Sequence, residues 1–285
     1  MSLEQSVLAR ERFFGRLVMI YQMPKIGSQT IEATLRQAAF PHPIYRFHSL
    51  SPEIAKTIQH GVSSTHPAEA WKRDARQQLE SSRSIRNCIR VRRVLRLCGF
   101  RVPKLEIITG VRELIGLMLA SIFENYRYFE PTFESMTVEK CREALLHPKT
   151  FKTIQDWFDL ELKAFAGFDV YRTGFPQALG HCVYITSFAR VLVYRFENLD
   201  GLPRPLSKFL GWDISQLVSS NLGGSKDYAQ QYRYVKDRLR LPSDFVSGLY
   251  ESKLMRHFYS VSERQNWHAK WSDAEPTRSQ SVSFR

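Results

Sequence analysis

The chain has 285 residues, of which 43% are hydrophobic, and this is enough to bury the core of one large α/β domain. Its 41 Lys and Arg outnumber its 28 Asp and Glu, so the net charge of +13 predicts a partner that carries phosphate, sulfate or carboxylate groups. The spacing of its cysteines argues against a disulfide framework and against a zinc site; they are Cys88, Cys98, Cys141 and Cys182.

Sequence features at the two ends of the chain give expectations about location and domain count. Residues 1–16 carry charges from Glu4 onward and lack the apolar core of a secretory leader. No apolar run approaches the roughly 18 residues of a membrane span. We therefore expect a cytoplasmic protein without a transmembrane segment, built as a single domain over residues 1–272. The Ser- and Arg-rich stretch 273–285 is expected to be a flexible tail.

The segment Leu17–Ile31 predicts a buried strand, a tight loop and the start of a helix. Five apolar residues precede the order Pro-Lys-x-Gly-Ser-x-Thr, after which apolar residues recur at helical spacing. Such a loop can hold an anion because Gly27 lets the backbone approach it, while the helix N-terminus and Lys25 supply positive charge. A nucleotide diester or a sulfate-carrying nucleotide would fit. The loop is not a Walker P-loop, because the lysine precedes the glycine.

Two further strand ends supply candidate site residues. A strand at 43–50 precedes a helix that reaches about Gly61, and ligands of a parallel sheet bind beyond the carboxyl ends of its strands. His48 is therefore expected beside the lysine loop, either as a general base or as a hydrogen-bonded structural group. A third strand at 104–110 is followed by Arg112 and Glu113 at the start of a helix over 114–126. An arginine at a helix start predicts another anion site.

The segment 68–99 is helical in pattern and strongly basic. Its cations exceed what solubility requires, so an acidic acceptor or nucleic acid could dock there, although a solvated helix face is the simpler interpretation. Aromatic residues that could stack on bases are nearly absent after Trp71, which disfavours single-stranded nucleic acid. The cations are Lys72, Arg73, Arg76, Arg83, Arg86, Arg90, Arg92, Arg93 and Arg96.

The rest of the chain completes the predicted fold. Strands at 182–185 and 190–195 bring the sheet to five, and a helix is expected to run from Glu197 through Leu210. After Asn221 the pattern is helical. The predicted fold class is α/β, with a parallel central sheet of about five strands flanked by helices and a helical C-terminal part over 221–272; the helices of that part are expected at 227–239, 243–250 and 262–271.

The lysine loop resembles the 5′-phosphosulfate loop of the sulfotransferases, whose fold is related to that of the P-loop NTPases. Nearly the whole chain, from Leu17 to Ser272, also resembles a bacterial capsular polysaccharide synthesis family, which is itself similar to sulfotransferases and is named for an Asn-Lys-Trp-Tyr-Ser signature. Here Asp227 stands at the signature tryptophan. The segments that carry this resemblance are 111–115, 123–125, 157–159, 168–171, 191–199 and 221–271.

The resemblance implies a nucleotide site and a catalytic pair. Lys25 would stabilise the leaving phosphate and His48 would act as general base, with 3′-phosphoadenosine-5′-phosphosulfate as co-substrate and no metal. In sulfotransferases an arginine and a serine eight residues later hold the 3′-phosphate; here Ala120 stands at that serine position beside Ser121. The implied nucleotide-binding residues are Pro24, Lys25, Ile26, Gly27, Ser28, Gln29, Thr30, Arg112, Ser121, Asn221 and Lys226.

Two classes of function follow from these observations. The first is an enzyme that transfers a sulfuryl group to a hydroxyl, with an acidic or neutral glycan as acceptor. The second is a non-catalytic protein on the same fold that binds a polyanion or a glycan, and Ala120 and Asp227 favour it. A specific nucleic-acid partner is not expected, because the chain contains no recognition motif.

Overall fold

The computed structural model describes residues 16–50, 86–91, 105–126, 130, 132–147, 151–187, 189–218 and 227–273. Its centre is a five-stranded sheet with the strand order β2-β1-β3-β5-β4. The strands are β1 (Leu17–Tyr21), β2 (Ile44–Phe47), β3 (Leu105–Val111), β4 (His181–Ile185) and β5 (Ala189–Arg195).

Four of the five strands are parallel, and the edge strand β4 is not. β1 pairs in parallel with β2 and β3, and β3 pairs in parallel with β5. β4 runs antiparallel to β5, with Tyr184 opposite Val191. The prediction of a parallel sheet is wrong at this edge. The connection from Ile185 to Ala189 is too short for the crossover that parallel neighbours require, so the two strands form a hairpin.

The inner strands β1 and β3 are buried on both faces, and every one of their residues is buried. β1 is a continuous apolar run, whereas β3 also contains the fully buried polar residues Glu106 and Thr109. Glu106 is the charged one of the two. Arg16 Nε donates to its Oε2 at 3.0 Å and Arg190 donates to its Oε1 at 2.9 Å. Paired in this way, the carboxylate is tolerated inside the sheet.

Helices cover the two faces of the sheet and form the C-terminal part. Single turns of π-helix and 3-10 helix occur at Phe158–Lys163 and Val170–Arg172. The α-helices are α1 (Ser28–Gln37), α2 (Leu114–Glu124), α3 (Val138–Leu146), α4 (Lys152–Gln155), α5 (Ala164–Ala166), α6 (Pro203–Leu210), α7 (Ala229–Arg238), α8 (Ser243–Tyr250), α9 (Lys253–Phe258) and α10 (Val261–Trp271).

The helix expected from Glu197 through Leu210 is divided in two. A 3-10 helix covers Phe196–Gly201, with Asn198 in a non-helical conformation, and α6 begins separately at Pro203. Proline suits the first position of a helix, where its missing N–H needs no partner. Leu202 before it keeps an α conformation, so the irregular residue of this segment is Asn198. The expected C-terminal helices are confirmed as α7, α8 and α10, and α9 was not anticipated.

Several sequence predictions lie outside the described residues, including the helix that reaches Gly61, most of the basic segment, and the tail. Of the basic segment, residues 86–91 are described and are helical. Arg86 and Arg90 are exposed there, whereas Cys88 and Val91 are buried. The described turn therefore presents its arginines to solvent. Among the helices that the structure describes, none is both long and apolar enough to cross a bilayer.

Candidate functional site

The strand order identifies the edge of the sheet where a ligand site is expected. From β1 the chain moves to β2 on one side, and β3 then lies on the other side of β1. In open α/β sheets the crevice outside the carboxyl ends of the strands at such a reversal is the usual ligand site. The loop that follows β1 and the residues that follow β3 border this crevice, and these segments contain Lys25 and Arg112.

The loop after β1 has a constrained backbone. Lys25 adopts φ 66° and Gly27 adopts φ 84°, both in the left-handed region. Gly27 is the N-cap of α1 and provides no side-chain acceptor for the first N–H groups of that helix. A Cβ added to Gly27 would lie 3.3 Å from the Leu199 side chain. The strained lysine conformation is of the kind found at binding loops, where the surrounding structure holds it in place.

Arg112 ties this loop to the end of β3. Its Nη1 donates to the Lys25 carbonyl oxygen at 3.0 Å, and its guanidinium carbon lies 4.3 Å from the centre of the Phe196 ring. The structure therefore brings together the two cations that the sequence assigned to one nucleotide site. The role of Arg112 toward a 3′-phosphate stays a prediction.

The Lys25 side chain forms an ion pair with Glu124 near the end of α2, and the two side chains are 16% and 26% exposed. At about 100° per residue, Glu124 lies between Ala120 and Ser121 around the helix axis. Ser121 is half-buried and lies on the sector of α2 that faces the loop. The sequence pattern alone does not predict this contact of Glu124 with Lys25.

The backbone N–H groups at the start of α2 are not open to an anion, so an anion site at this position stays a prediction that depends on Arg112. The Glu113 carboxylate caps the helix, accepting from Ile115 N at 2.8 Å and Gly116 N at 2.7 Å, and Tyr250 also donates its hydroxyl to it. Burial raises the pKa of Glu113. The backbone groups that an external anion would need are already bound, which leaves Arg112 as the cationic group at this strand end.

The hydroxyl group of Tyr194, in β5, lies within hydrogen-bond distance of the loop that follows β1. This hydroxyl lies 2.5 Å from the Ile26 carbonyl oxygen and 2.9 Å from the side-chain amide of Gln22. One hydroxyl hydrogen cannot serve two acceptors, so we assign the Gln22 amide with its NH2 group donating to Tyr194, which donates to Ile26. The ring fits because residue 110 is glycine, where an added Cβ would lie 2.8 Å from Tyr194 Cζ. A glycine inside an apolar strand is the sequence signal for this close approach.

His48 lies directly after β2, at the same edge of the sheet. Its Nδ1 is 2.8 Å from the Gln22 carbonyl oxygen. A carbonyl oxygen can only accept, so Nδ1 carries the hydrogen and Nε2 is the acceptor atom of the neutral ring. Trp157 Nε1 donates to the His48 carbonyl oxygen at 3.0 Å and fixes the backbone. This tautomer suits a general base, a role that stays a prediction.

A buried carboxylate joins the ends of β1 and β2. Glu161, in the π-helical turn, is fully buried and accepts hydrogen bonds from Tyr21, Ser49 and Leu50. Tyr21 donates to it at 2.5 Å, and Ser49 Oγ and the Leu50 N–H each donate at 2.7 Å. Because Ser49 and Leu50 follow His48, this carboxylate also holds the segment that carries the histidine. No sequence pattern predicts this role of Glu161, because these three donors are more than 100 residues away.

We expect Glu161→Ala to lower the free energy of unfolding by about 3 kcal/mol or more, because it leaves three buried donors without an acceptor. The melting temperature should fall by roughly 5–10 °C. Asp159→Ala in the same turn is the control, since its ion pairs with Lys163 and Lys253 are part-exposed and therefore contribute little to stability. Urea unfolding of both variants measures the difference, and equal losses would contradict the role of Glu161.

The other predicted nucleotide-binding residues fall into two groups. Those of the loop and of the first turn of α1 are described, and Asn221 and Lys226 lie outside the described residues. Across the described ranges, no group of three or more His, Cys, Asp or Glu side chains is placed to hold a metal ion. Pro24 is exposed, Gln29 and Thr30 are half-buried, and Ile26 and Ser28 are buried.

Fold and site together define a mostly parallel α/β protein with a strand–loop–helix turn beside the reversal of strand order. Residues 136–260 match the protein family described as "Putative capsular polysaccharide synthesis protein". The match confirms the family resemblance over that segment, which runs from α3 to α9. Lys25, His48 and Arg112 precede it. No curated protein and no solved structure matches the chain significantly.

Proposed function

We propose that the protein transfers a sulfuryl group from 3′-phosphoadenosine-5′-phosphosulfate to a hydroxyl group of a glycan. The observation that carries the proposal is the convergence of Lys25 and Arg112, from two different strand ends, on one loop at the reversal of strand order. Two cations, one on a constrained backbone loop and one beside it, suit a ligand with two separate anionic groups. The order Pro-Lys-x-Gly-Ser favours a phosphosulfate over a Walker-type triphosphate.

The chemistry requires a base, an in-line nucleophile and a stabilised leaving group. The acceptor hydroxyl oxygen attacks sulfur, and the new S–O bond forms as the bond from sulfur to the bridging phosphate oxygen breaks. Adenosine 3′,5′-bisphosphate leaves with that electron pair, and Lys25 stabilises its developing charge. His48 Nε2 takes the proton of the hydroxyl, since Nδ1 is engaged with Gln22.

A glycan is the acceptor class that the family description favours, because capsules are polysaccharides. The net charge of +13 supports an acceptor or product with acidic groups. Exposed arginines of the described helical turn, Arg86 and Arg90, would add to the attraction at long range.

We expect adenosine 3′,5′-bisphosphate to stabilise the protein against heat and ATP to do so much less. The first ligand matches an arginine that can hold a 3′-phosphate, whereas the loop lacks the Walker order that binds a triphosphate. At about 100 times its dissociation constant the ligand should add roughly 2.7 kcal/mol to the free energy of unfolding. Differential scanning fluorimetry with both nucleotides measures the shifts. Equal shifts, or none, would remove the basis for the donor assignment.

A second function, a non-catalytic glycan- or polyanion-binding protein, is favoured by one contact. Lys25 is paired with Glu124, which supplies a negative charge where the donor would place its own. In that case an acidic polysaccharide, and no nucleotide, would raise the melting temperature. The nucleotide experiment therefore separates the two functions directly.

A further inference from the structure

One face of α7 lies beside Arg112 and α2. Tyr232 and Lys236 are four residues apart and share that face. The Tyr232 ring meets the Phe123 ring of α2 edge-on at 5.4 Å, and Lys236 Nζ lies 5.9 Å from the centre of the Tyr232 ring. The Arg112 guanidinium is close enough to interact with both the Tyr232 hydroxyl and the Lys236 ammonium group.

The charges at this face are mostly of one sign. Burial lowers the pKa of Lys236, and the nearby charges of Lys270 and Arg112 lower it further. Burial raises the pKa of the Tyr232 hydroxyl, which the Arg112 guanidinium partly offsets. The tyrosine therefore stays protonated near neutral pH and can donate a hydrogen bond.

Two carboxylates, those of Glu113 and Asp237, lie near Lys236, but neither forms an ion pair with these cations. Within the part of the chain that the structure describes, Arg112, Lys236 and Lys270 form no ion pair. The nearby Glu113 is committed to α2 and to Tyr250. Arg112 and Lys236 are half-buried, whereas Lys270 is exposed. Half-buried charges in folded proteins are normally paired, so Arg112 and Lys236, which form no ion pair, favour an anion at this face.

We propose that Tyr232 and Lys236 of α7 bind, together with Arg112, the phosphate monoester of the nucleotide, and that they set the preference for a ribose 3′-phosphate. The inference rests on the proposed function and assigns a substrate contact to a helix within the family-matched segment. A phosphate monoester suits the cluster because it carries close to two negative charges and three acceptor oxygens. The Tyr232 hydroxyl replaces the one that Ala120 lacks.

The test is isothermal calorimetry with adenosine 3′,5′-bisphosphate and with adenosine 5′-phosphate, on the wild-type protein and on Lys236→Met. We expect Lys236→Met to weaken the bisphosphate about tenfold to hundredfold and to leave the monophosphate within about twofold, because a hydrogen bond between charged groups is lost only with the first ligand. Arg238→Met is the matched control, since Arg238 is exposed on the opposite face of α7, against Tyr234.

Thermal unfolding without ligand supplies a second readout. Removing one of several unpaired cations should leave the melting temperature of Lys236→Met unchanged or raise it, whereas a structural lysine would lower it. If the wild-type protein prefers the bisphosphate and Lys236→Met keeps that preference, the inference is overturned while the proposed function stands. If the wild-type protein binds neither nucleotide, the proposed function fails and the inference fails with it.

Discussion

Lys25→Ala should lower the rate of sulfuryl transfer by about 10²–10³, the usual loss when one preorganised charge on a leaving group is removed. Affinity for adenosine 3′,5′-bisphosphate should fall as well, because the ground-state ligand is already anionic. The fold should survive, since the ion pair of Lys25 with Glu124 is partly solvated and contributes no more than about 1 kcal/mol. Calorimetry and single-turnover transfer to a glycan acceptor measure the two effects.

The control for Lys25 is Lys163→Ala. Lys163 also forms ion pairs with carboxylates, at Asp159 and Asp169, but it lies on the π-helical turn away from the loop. Its loss should change neither nucleotide affinity nor turnover. If Lys25→Ala behaved like this control, the loop would not be the donor site.

His48→Gln should lower turnover by about 10²–10⁴ and leave nucleotide affinity unchanged. Glutamine can still donate a hydrogen bond toward the Gln22 carbonyl oxygen, which His48 Nδ1 now approaches at 2.8 Å, but it cannot take a proton from the acceptor. A structural histidine would therefore tolerate the change and a general base would not. Transfer rates and calorimetric affinities of the same preparation distinguish these cases.

His181→Gln is a matched control, because His181 Nδ1 is also near a backbone carbonyl oxygen, that of Leu179, at 3.1 Å. It lies at the start of the edge strand β4, away from the reversal of strand order. Full activity in both variants would refute the assignment of His48 as the base.

The strands and the site edge were predictable because their signals are local. The apolar run at 17–21 and the largely apolar stretch at 105–111 indicate buried inner strands, and the loop that contains Lys25 and Gly27 follows the first of them. Once those strands are parallel neighbours, the residues after them must share one edge of the sheet. The position of Lys25, His48 and Arg112 at one edge of the sheet therefore follows from sequence patterns.

The residues whose hydrogen bonds hold the site segments in place were not predictable, because their partners are distant in sequence. Glu161 reaches Tyr21 across 140 residues, and Tyr194 reaches Ile26 across 168. No sequence periodicity relates residues that are so far apart, and the identity of a glutamate does not show whether it is buried or solvated. Glu113 shows the limit most clearly, since an arginine–glutamate pair at a helix start is compatible with an open anion site and with a self-capped helix.

The contact between Gly110 and Tyr194 also constrains how this protein can diverge. A side chain at residue 110 would collide with the Tyr194 ring, while a smaller residue at 194 would remove the hydroxyl that holds Ile26. Whichever of the two residues is substituted first, the loop or the strand loses stability. Neither single substitution is therefore expected to be tolerated alone. Changes at residues 110 and 194 are therefore expected to occur together. The pair connects the loop to β5, a strand inside the family-matched segment.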